Sequence, residues 1–264
     1  MGQITDLREL SAWALAQTLR GAPGYEAVQV PGGGMALSGE ATADLNLAFL
    51  PADANADAFL DRAVTRARQR GLPLLIVGMP GIAPAEAEAL TRRGLRRSET
   101  DLPLMALDLP ALATGVRAVA GLEGRLEIRS AQGPVDIAAV GDLISLAFDL
   151  PRQTVRQALE PSLLAGEPSR AFIAWRDGVA VSSVSITVLG ETASIWSMAT
   201  PPDLQGRGFG RALLSHVLQA LAADGIRRVF LHASPAGRRL YEDLGFTLLA
   251  EQPVWSLAAA PPPA

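Results

Sequence analysis

Gln205-Gly206-Arg207-Gly208-Phe209-Gly210-Arg211 lies between two segments of different periodicity. Ahead of it, Ala193 to Thr200 (Ala-Ser-Ile-Trp-Ser-Met-Ala-Thr) reads as a strand closed by Pro201-Pro202-Asp203. Behind it, Leu213, Leu214, Val217, Leu218 and Leu221 fall on one face of a helix. A glycine-rich turn from strand to helix leaves backbone N–H groups free, and the positive end of the helix dipole points the same way. That arrangement suits a phosphate or pyrophosphate, and Arg207 and Arg211 add side-chain charge there. Two other phosphate loops fit badly. A Walker-type loop needs Gly-Lys-Ser/Thr, and the chain has no lysine. A dinucleotide loop needs G-x-G-x-x-G, but Arg211 stands where the third glycine belongs, and no acidic residue ends a strand roughly twenty positions later.

The remaining match is Q-x-x-G-x-G, from Gln205 to Gly210. A second pattern follows: a strand through Leu231 and His232, then a helix carrying Leu240-Tyr241, then Gly245-Phe246. The two patterns together, in this order, resemble the GNAT superfamily of N-acetyltransferases over roughly Leu126 to Leu257. The resemblance implies an α/β (α+β) fold with a mixed, mostly antiparallel sheet flanked by helices. It also implies acetyl-CoA as donor co-substrate.

The N-terminal half repeats the order of elements. Glu40 to Leu50 leads to Pro51, a helix is expected from about Asp53 to Arg70, and Leu74 to Val77 is a strand. Pro84 to Arg93 is a second helix, ended by Gly94. A pair of short strands is expected after each terminal glycine, over Arg97 to Leu109 and over Thr247 to Leu257. The expected architecture is therefore two tandem GNAT-like domains, 1–112 and 125–264, with a linker from Pro110 to Gly124 and a disordered tail over 258–264. Ala52 to Ala58 replaces the glycine loop in the first half. It has no glycine, and Asp53 and Asp57 stand where a phosphate would dock, so this domain is expected to be degenerate and unable to bind CoA. Gly32-Gly33-Gly34 reads as a hairpin loop. In the second half, Leu126 to Ser130 is the first strand, Val135 to Phe148 a helix, and another helix begins after Pro151. Asp177-Gly178 turns a hairpin between strands at Ser169 to Arg176 and Val179 to Leu189.

Composition bounds the remaining function classes. The chain has 264 residues, no cysteine and only two histidines, His216 and His232, which excludes disulfides, thiolate chemistry and a histidine-rich metal centre. A net charge of −4 without a basic block argues against nucleic acid or an anionic membrane as partner. No apolar run reaches the ~20 residues a bilayer needs, and no signal-like stretch opens the chain, so a cytoplasmic protein is expected.

The resemblance assigns roles residue by residue. The backbone of Gln205, Gly206, Arg207, Gly208, Phe209, Gly210 and Arg211 is expected to hold the CoA pyrophosphate. Main-chain groups of Met198, Ala199 and Thr200 are expected to meet the pantetheine and the acetyl carbonyl. Ser234 stands where many relatives carry an asparagine that contacts the cofactor. Tyr241 is the expected general acid, since a phenol titrates near 10 and stays protonated at neutral pH. No carboxylate lies between Thr192 and Thr200, so the base is open. Ser197, by orienting a water, and His232 are the candidates, with Glu191 and Asp149 further off. The function expected is transfer of an acetyl group to a primary amine of a small molecule or peptide by direct attack, in a monomer or homodimer and with no metal. The alternative is a non-catalytic acyl-CoA sensor.

Overall fold

The computed structural model describes residues 2–53, 55–109 and 126–259. The expected linker lies outside them, as does the tail beyond Ala259. The described chain forms two compact units, but their limits differ from the expected domains. One unit takes Met1–Leu104 together with Leu248–Ala264, and the other Met105–Thr247. Each contains a mixed sheet flanked by helices, the expected fold class.

The first unit begins with α1, Gly2–Thr18, which packs against β1 (Glu26–Val30), β2 (Gly33–Leu37) and β3 (Asn46–Phe49). Sequence periodicity did not announce α1. Its buried face is carried by small residues, Ala12, Ala14, Ala16 and Ser11, together with Leu7, Leu15 and Leu19. The turn before β2 is at Gly32, whereas Gly33 and Gly34 belong to the strand itself. A Cβ on Gly33 would lie 2.4 Å from the Phe49 carbonyl oxygen, so glycine lets β2 approach β3. Then come α2 (Ala56–Gln69), β4 (Leu74–Val77), α3 (Pro84–Arg92) and β5 (Arg96–Arg97). Helix α2 starts later than expected because Asp53 accepts the Asn55 N–H at 3.0 Å in a turn that precedes the helix.

The six-stranded sheet is completed from the far end of the chain. β13, Val254–Leu257, lies between β4 and β5, antiparallel to both, with Trp255 opposite Ile76 on one side and Arg97 on the other. Trp255 and Leu257 are buried among Leu60, Val64, Leu74 and Ile76. The two expected pairs of strands are therefore not hairpins. β5 enters the six-stranded sheet, while β6 (Leu102–Asp108) enters the seven-stranded one. The other pair splits likewise, β12 (Thr247–Gln252) in the larger sheet and β13 in the smaller.

The second unit continues with β7 (Glu127–Ser130), α4 (Gly133–Phe148), α5 (Arg152–Ala158) and α6 (Glu160–Ala165). The helix expected after Pro151 is two short ones, because Pro161 at the start of α6 cannot continue α5. Then follow β8 (Ser169–Arg176), β9 (Val179–Leu189), β10 (Thr192–Ala199), α7 (Phe209–Ala223), β11 (Arg228–His232) and α8 (Arg238–Asp243). The β8–β9 turn uses Asp177 and Gly178, both at positive φ, as a two-residue hairpin requires. Strand order is β12-β6-β11-β10-β9-β8-β7. Leu213, Leu214, Val217, Leu218 and Leu221 of α7 are fully buried against this sheet, the face the sequence periodicity marked. Met105, Leu107 and Leu109 complete the same core.

Candidate functional site

β10 has two neighbours and departs from both at one place. It runs parallel to β11 only from Thr192↔Arg228 to Ile195↔Leu231. Against β9 its register slips between Trp196 and Ala199, where β10 holds one residue more than β9. Ser197 sits in this bulge at φ 44°, an uncommon conformation for a residue with a side chain. Past Ile195, then, β10 has a backbone edge with no partner in β11, and Ser197, Met198 and Ala199 lie on it. The carbonyls around the bulge are taken by side chains. Ser185 Oγ donates to Trp196 O at 3.1 Å, Ser182 Oγ to Ala199 O at 3.0 Å, and Gln205 Nε2 to Thr200 O at 3.0 Å.

The chain then passes through a 3₁₀ turn, Pro202–Leu204, into the glycine loop. Gly206 and Gly208 have φ 73° and 83°, which glycine adopts without steric cost. Gly208 caps α7, so the N–H groups of Phe209, Gly210 and Arg211 have no partner within the helix. Its first turn carries no acidic residue. A Cβ on Gly210 would lie 3.1 Å from Met198 Cε and 3.2 Å from Thr200 Oγ1, so glycine here sets α7 directly against the end of β10. The Phe209 side chain is buried in the core, which leaves only its main chain to the loop. The two arginines have local partners. Arg207 donates to Asp203 O at 2.8 Å, and Arg211 is ion-paired with Asp243 of α8.

Tyr241 projects from α8 into the core, edge-on to Phe246 with ring centroids 5.6 Å apart. Burial pushes its phenol well above the usual range, and no described residue is a hydrogen-bond partner of its hydroxyl. Tyr241 packs close beside Gly237 and Ser234: a Cβ on Gly237 would meet Tyr241 Cε2 and Ser234 Oγ, each at 3.2 Å. Ser234 Oγ accepts the Gly237 N–H at 3.1 Å, so this hydroxyl closes the turn that leads to α8. His232 ends β11, one residue beyond the last β10–β11 pair, and is half-buried. Glu191 is far from the bulge: it precedes β10 and pairs with Arg227 at 3.3 Å, about 20 Å from Ser197 at strand rise. Asp149 ends α4 in the left-handed conformation. Met198, Thr200 and Gly210 are thus brought together, as are Ser234 and Tyr241. Sequence reasoning passed over Ser182 and Ser185. Their only signal is the serine content of Val-Ser-Ser-Val-Ser in an otherwise apolar strand.

The equivalent place in the first unit is built differently. β3 runs parallel to β4 to its last residue, Phe49↔Val77, and Leu50 N–H extends the ladder to Val77 O at 3.0 Å. The fully buried Arg8 of α1 then donates to the carbonyls of Leu50 (2.6 Å), Val77 (2.8 Å) and Gly78 (2.9 Å). Burial pulls its guanidinium down to about 10. No bulge opens β3. A cavity of about 850 Å³ does lie in this unit, lined by Glu88, Arg92, Arg97, Asp101, Glu251 and Trp255 among others. Arg92 pairs with Glu88 and Arg97 with Asp101, and Glu251 adds a third carboxylate, so the lining offers no phosphate cradle. Among the described residues no cluster of three histidine or acidic side chains could hold a metal, and no helix is long and apolar enough to cross a membrane.

Residues 137–246 match the model of the acetyltransferase (GNAT) family, so the chain contains a GNAT acetyltransferase domain. Curated relatives match shorter stretches of the chain. The [ribosomal protein bS18]-alanine N-acetyltransferase of Salmonella typhimurium is 37% identical over 26% of this chain and 49% of its own length. The mycothiol acetyltransferase of Beutenbergia cavernae is 38% identical over 28% of this chain and 26% of its own. The matched stretches thus span less than half of these relatives. Similarity of fold extends over the whole chain. A GCN5-related N-acetyltransferase from Kribbella flavida superposes with a TM-score of 0.64 at 16% identity, covering 98% of this chain and 96% of that one. A tandem GNAT protein from the clavulanic acid biosynthesis pathway gives 0.59 at 22%, covering 99% and 95%.

Proposed function

We propose that the chain is an acetyl-CoA-dependent N-acetyltransferase in which the second unit alone binds the donor. The observation that carries this is the opening of β10 at Ser197 directly beside the glycine cap of α7. In this reading the N–H groups from Gly206 to Arg211 hold the pyrophosphate, and the opened edge of β10 takes the pantetheine and the thioester. Arg207 and Arg211, already partnered, contribute field more than direct contact. Ser234 contributes little beyond closing the turn that leads to α8.

In the reaction, the lone pair of a neutral primary amine attacks the thioester carbonyl carbon. The oxygen gains charge that β10 N–H groups stabilise, the C–S bond breaks, and the amine loses a proton. Tyr241 stays protonated throughout because burial resists its ionisation. A phenol held above 10 is a weaker acid than a thiol near 8.5, so it steadies the departing sulfur by a hydrogen bond, and the proton lost by the amine balances the thiol. Ser197 and His232 border the opened edge and remain the groups to take that proton, directly or through water. The acceptor is a primary amine of a small molecule or peptide.

Thermal unfolding with and without acetyl-CoA tests donor binding: at a hundred times its dissociation constant a ligand adds ~2.7 kcal/mol. No shift at millimolar acetyl-CoA refutes the reading. A panel of amines with detection of free CoA tests transfer. Saturable binding without CoA release from any of them would favour a sensor instead.

A further inference from the structure

We propose that Ser185 and Ser182 are positioning residues for acyl transfer, whose hydroxyls hold the two peptide planes on either side of the β10 bulge so that their N–H groups face the acyl end of the donor. This rests on the reading of the second unit as the donor site. A peptide unit is planar and trans, so fixing its carbonyl fixes the direction of the N–H on its other side. Ser185 Oγ holds Trp196 O at 3.1 Å, and that plane carries the N–H of Ser197. Ser182 Oγ holds Ala199 O at 3.0 Å, and that plane carries the N–H of Thr200. The two planes bracket Met198. Thr200 Oγ1 lies 2.8 Å from Ser182 Oγ and completes the pair of hydroxyls. Gln205 takes Thr200 O, whose plane ends in Pro201 and has no N–H to aim.

The strand does not need serines for packing. Ser182 is fully buried and Ser185 nearly so, between Val181, Val184 and Ile186, where alanine would fill the space without a hydroxyl to desolvate. Trp196 and Ala199 flank the bulge and stay paired with Ser185 and Ser183 of β9, and Ser197 and Met198 lie between them without a partner in the register. The hydroxyl donors fix the carbonyls on either side of that gap, and so hold Ser197 at its positive φ. Ser183, between the two, supplies an internal control: it is fully buried, and its Oγ has no hydrogen-bond partner among the described residues.

Full-length wild type, Ser185→Ala, Ser182→Ala, Ser185→Thr and Ser183→Ala are compared by acetyl transfer to hydroxylamine and by separate titration with CoA, which lacks the acetyl oxygen. Ser185→Ala and Ser182→Ala are expected to lower kcat five- to fifty-fold, leaving KM for acetyl-CoA and the CoA dissociation constant within about twofold. Ser185→Thr is expected to recover at least half the rate, and Ser183→Ala to match wild type. Unchanged kcat in both alanine variants overturns the inference. So does a loss of CoA affinity in step with the rate, or an equal loss in Ser183→Ala, because either means the serines only support the sheet. If an alanine variant fails to fold, Ser185→Thr at wild-type melting temperature but alanine-like rate overturns it as well. Wild type that binds neither acetyl-CoA nor CoA refutes the donor-site reading itself, and this inference with it.

Discussion

Replacing Arg8 by methionine should destabilise the first unit by about 2–4 kcal/mol, an estimate set by opposing terms. Methionine keeps most of the side-chain volume, so little cavity is created. Three charge-assisted hydrogen bonds vanish, to Leu50, Val77 and Gly78. Val77 O keeps the Leu50 N–H, so two carbonyls lose their donor rather than three. Each buried polar group left unsatisfied costs about 1–3 kcal/mol, or roughly 2–6 kcal/mol for the pair. Against this, a guanidinium with no carboxylate partner among the described residues, Nε unpaired, is no longer held out of water. Relief of that burial removes part of the loss but not all, because the cation is already bonded on both terminal nitrogens. Urea unfolding followed by fluorescence reads this unit through Trp13 and Trp255, with Trp175 and Trp196 reporting on the other. Acetyl-CoA binding should keep its wild-type affinity. A variant as stable as wild type, or more stable, would refute the idea that Arg8 clamps the ends of β3 and β4.

Tyr241→Phe should cut turnover at least tenfold yet leave stability within about 0.5 kcal/mol, since the edge contact with Phe246 survives and no hydrogen bond from the hydroxyl is lost; kcat beside the melting temperature checks both halves. Gly208→Ala forces a Cβ into the left-handed region at φ 83°, at a cost of about 1–2 kcal/mol, and should weaken acetyl-CoA binding more than tenfold by titration. Asp136 is held below the ordinary carboxyl value of 3.8, first by the Arg129 guanidinium and also by the Gln132 N–H. Its contribution is therefore complete above that value and is lost as pH falls through the lower folded value, so the stability gap between wild type and Asp136→Asn should close in acid. A gap that widened in acid would reverse the sign. Residues 1–112 expressed alone lack Trp255 and Leu257, two core side chains worth about 1.5–3 kcal/mol each together with an interior strand, and circular dichroism should show no cooperative unfolding.

What could be read from the sequence was local. The apolar face of α7 and the Asp177-Gly178 hairpin each depend on residues within a few positions of one another, and both are where the periodicity put them. The destination of Leu102–Asp108 and Val254–Leu257 was not legible, because an apolar strand can complete either sheet equally well and register is chosen by distant partners. Arg8 was passed over for a related reason. An arginine in a helix reads as solvated, and only the three carbonyls brought to it by β3 and β4 make it a core residue. Ser182 and Ser185, three positions apart, fall on opposite faces of β9 and make no pattern of their own. The bulge turns them into donors, and a bulge in β10 leaves no mark on β9.

The exchanged strands make each sheet depend on both halves of the sequence. Met105, Leu107 and Leu109, which lie near the end of the first half in sequence, are buried with Leu213, Val217 and Leu231 in the core that supports α7 and β11. β6 stands beside β11, and β11 is the strand from which β10 parts to open the candidate cleft. The reverse holds at the other end, where Val254–Leu257 leaves the second half to lie between β4 and β5. Cutting the chain between the halves would take core side chains from both sheets at once. Neither half, cut from the other, keeps a complete sheet.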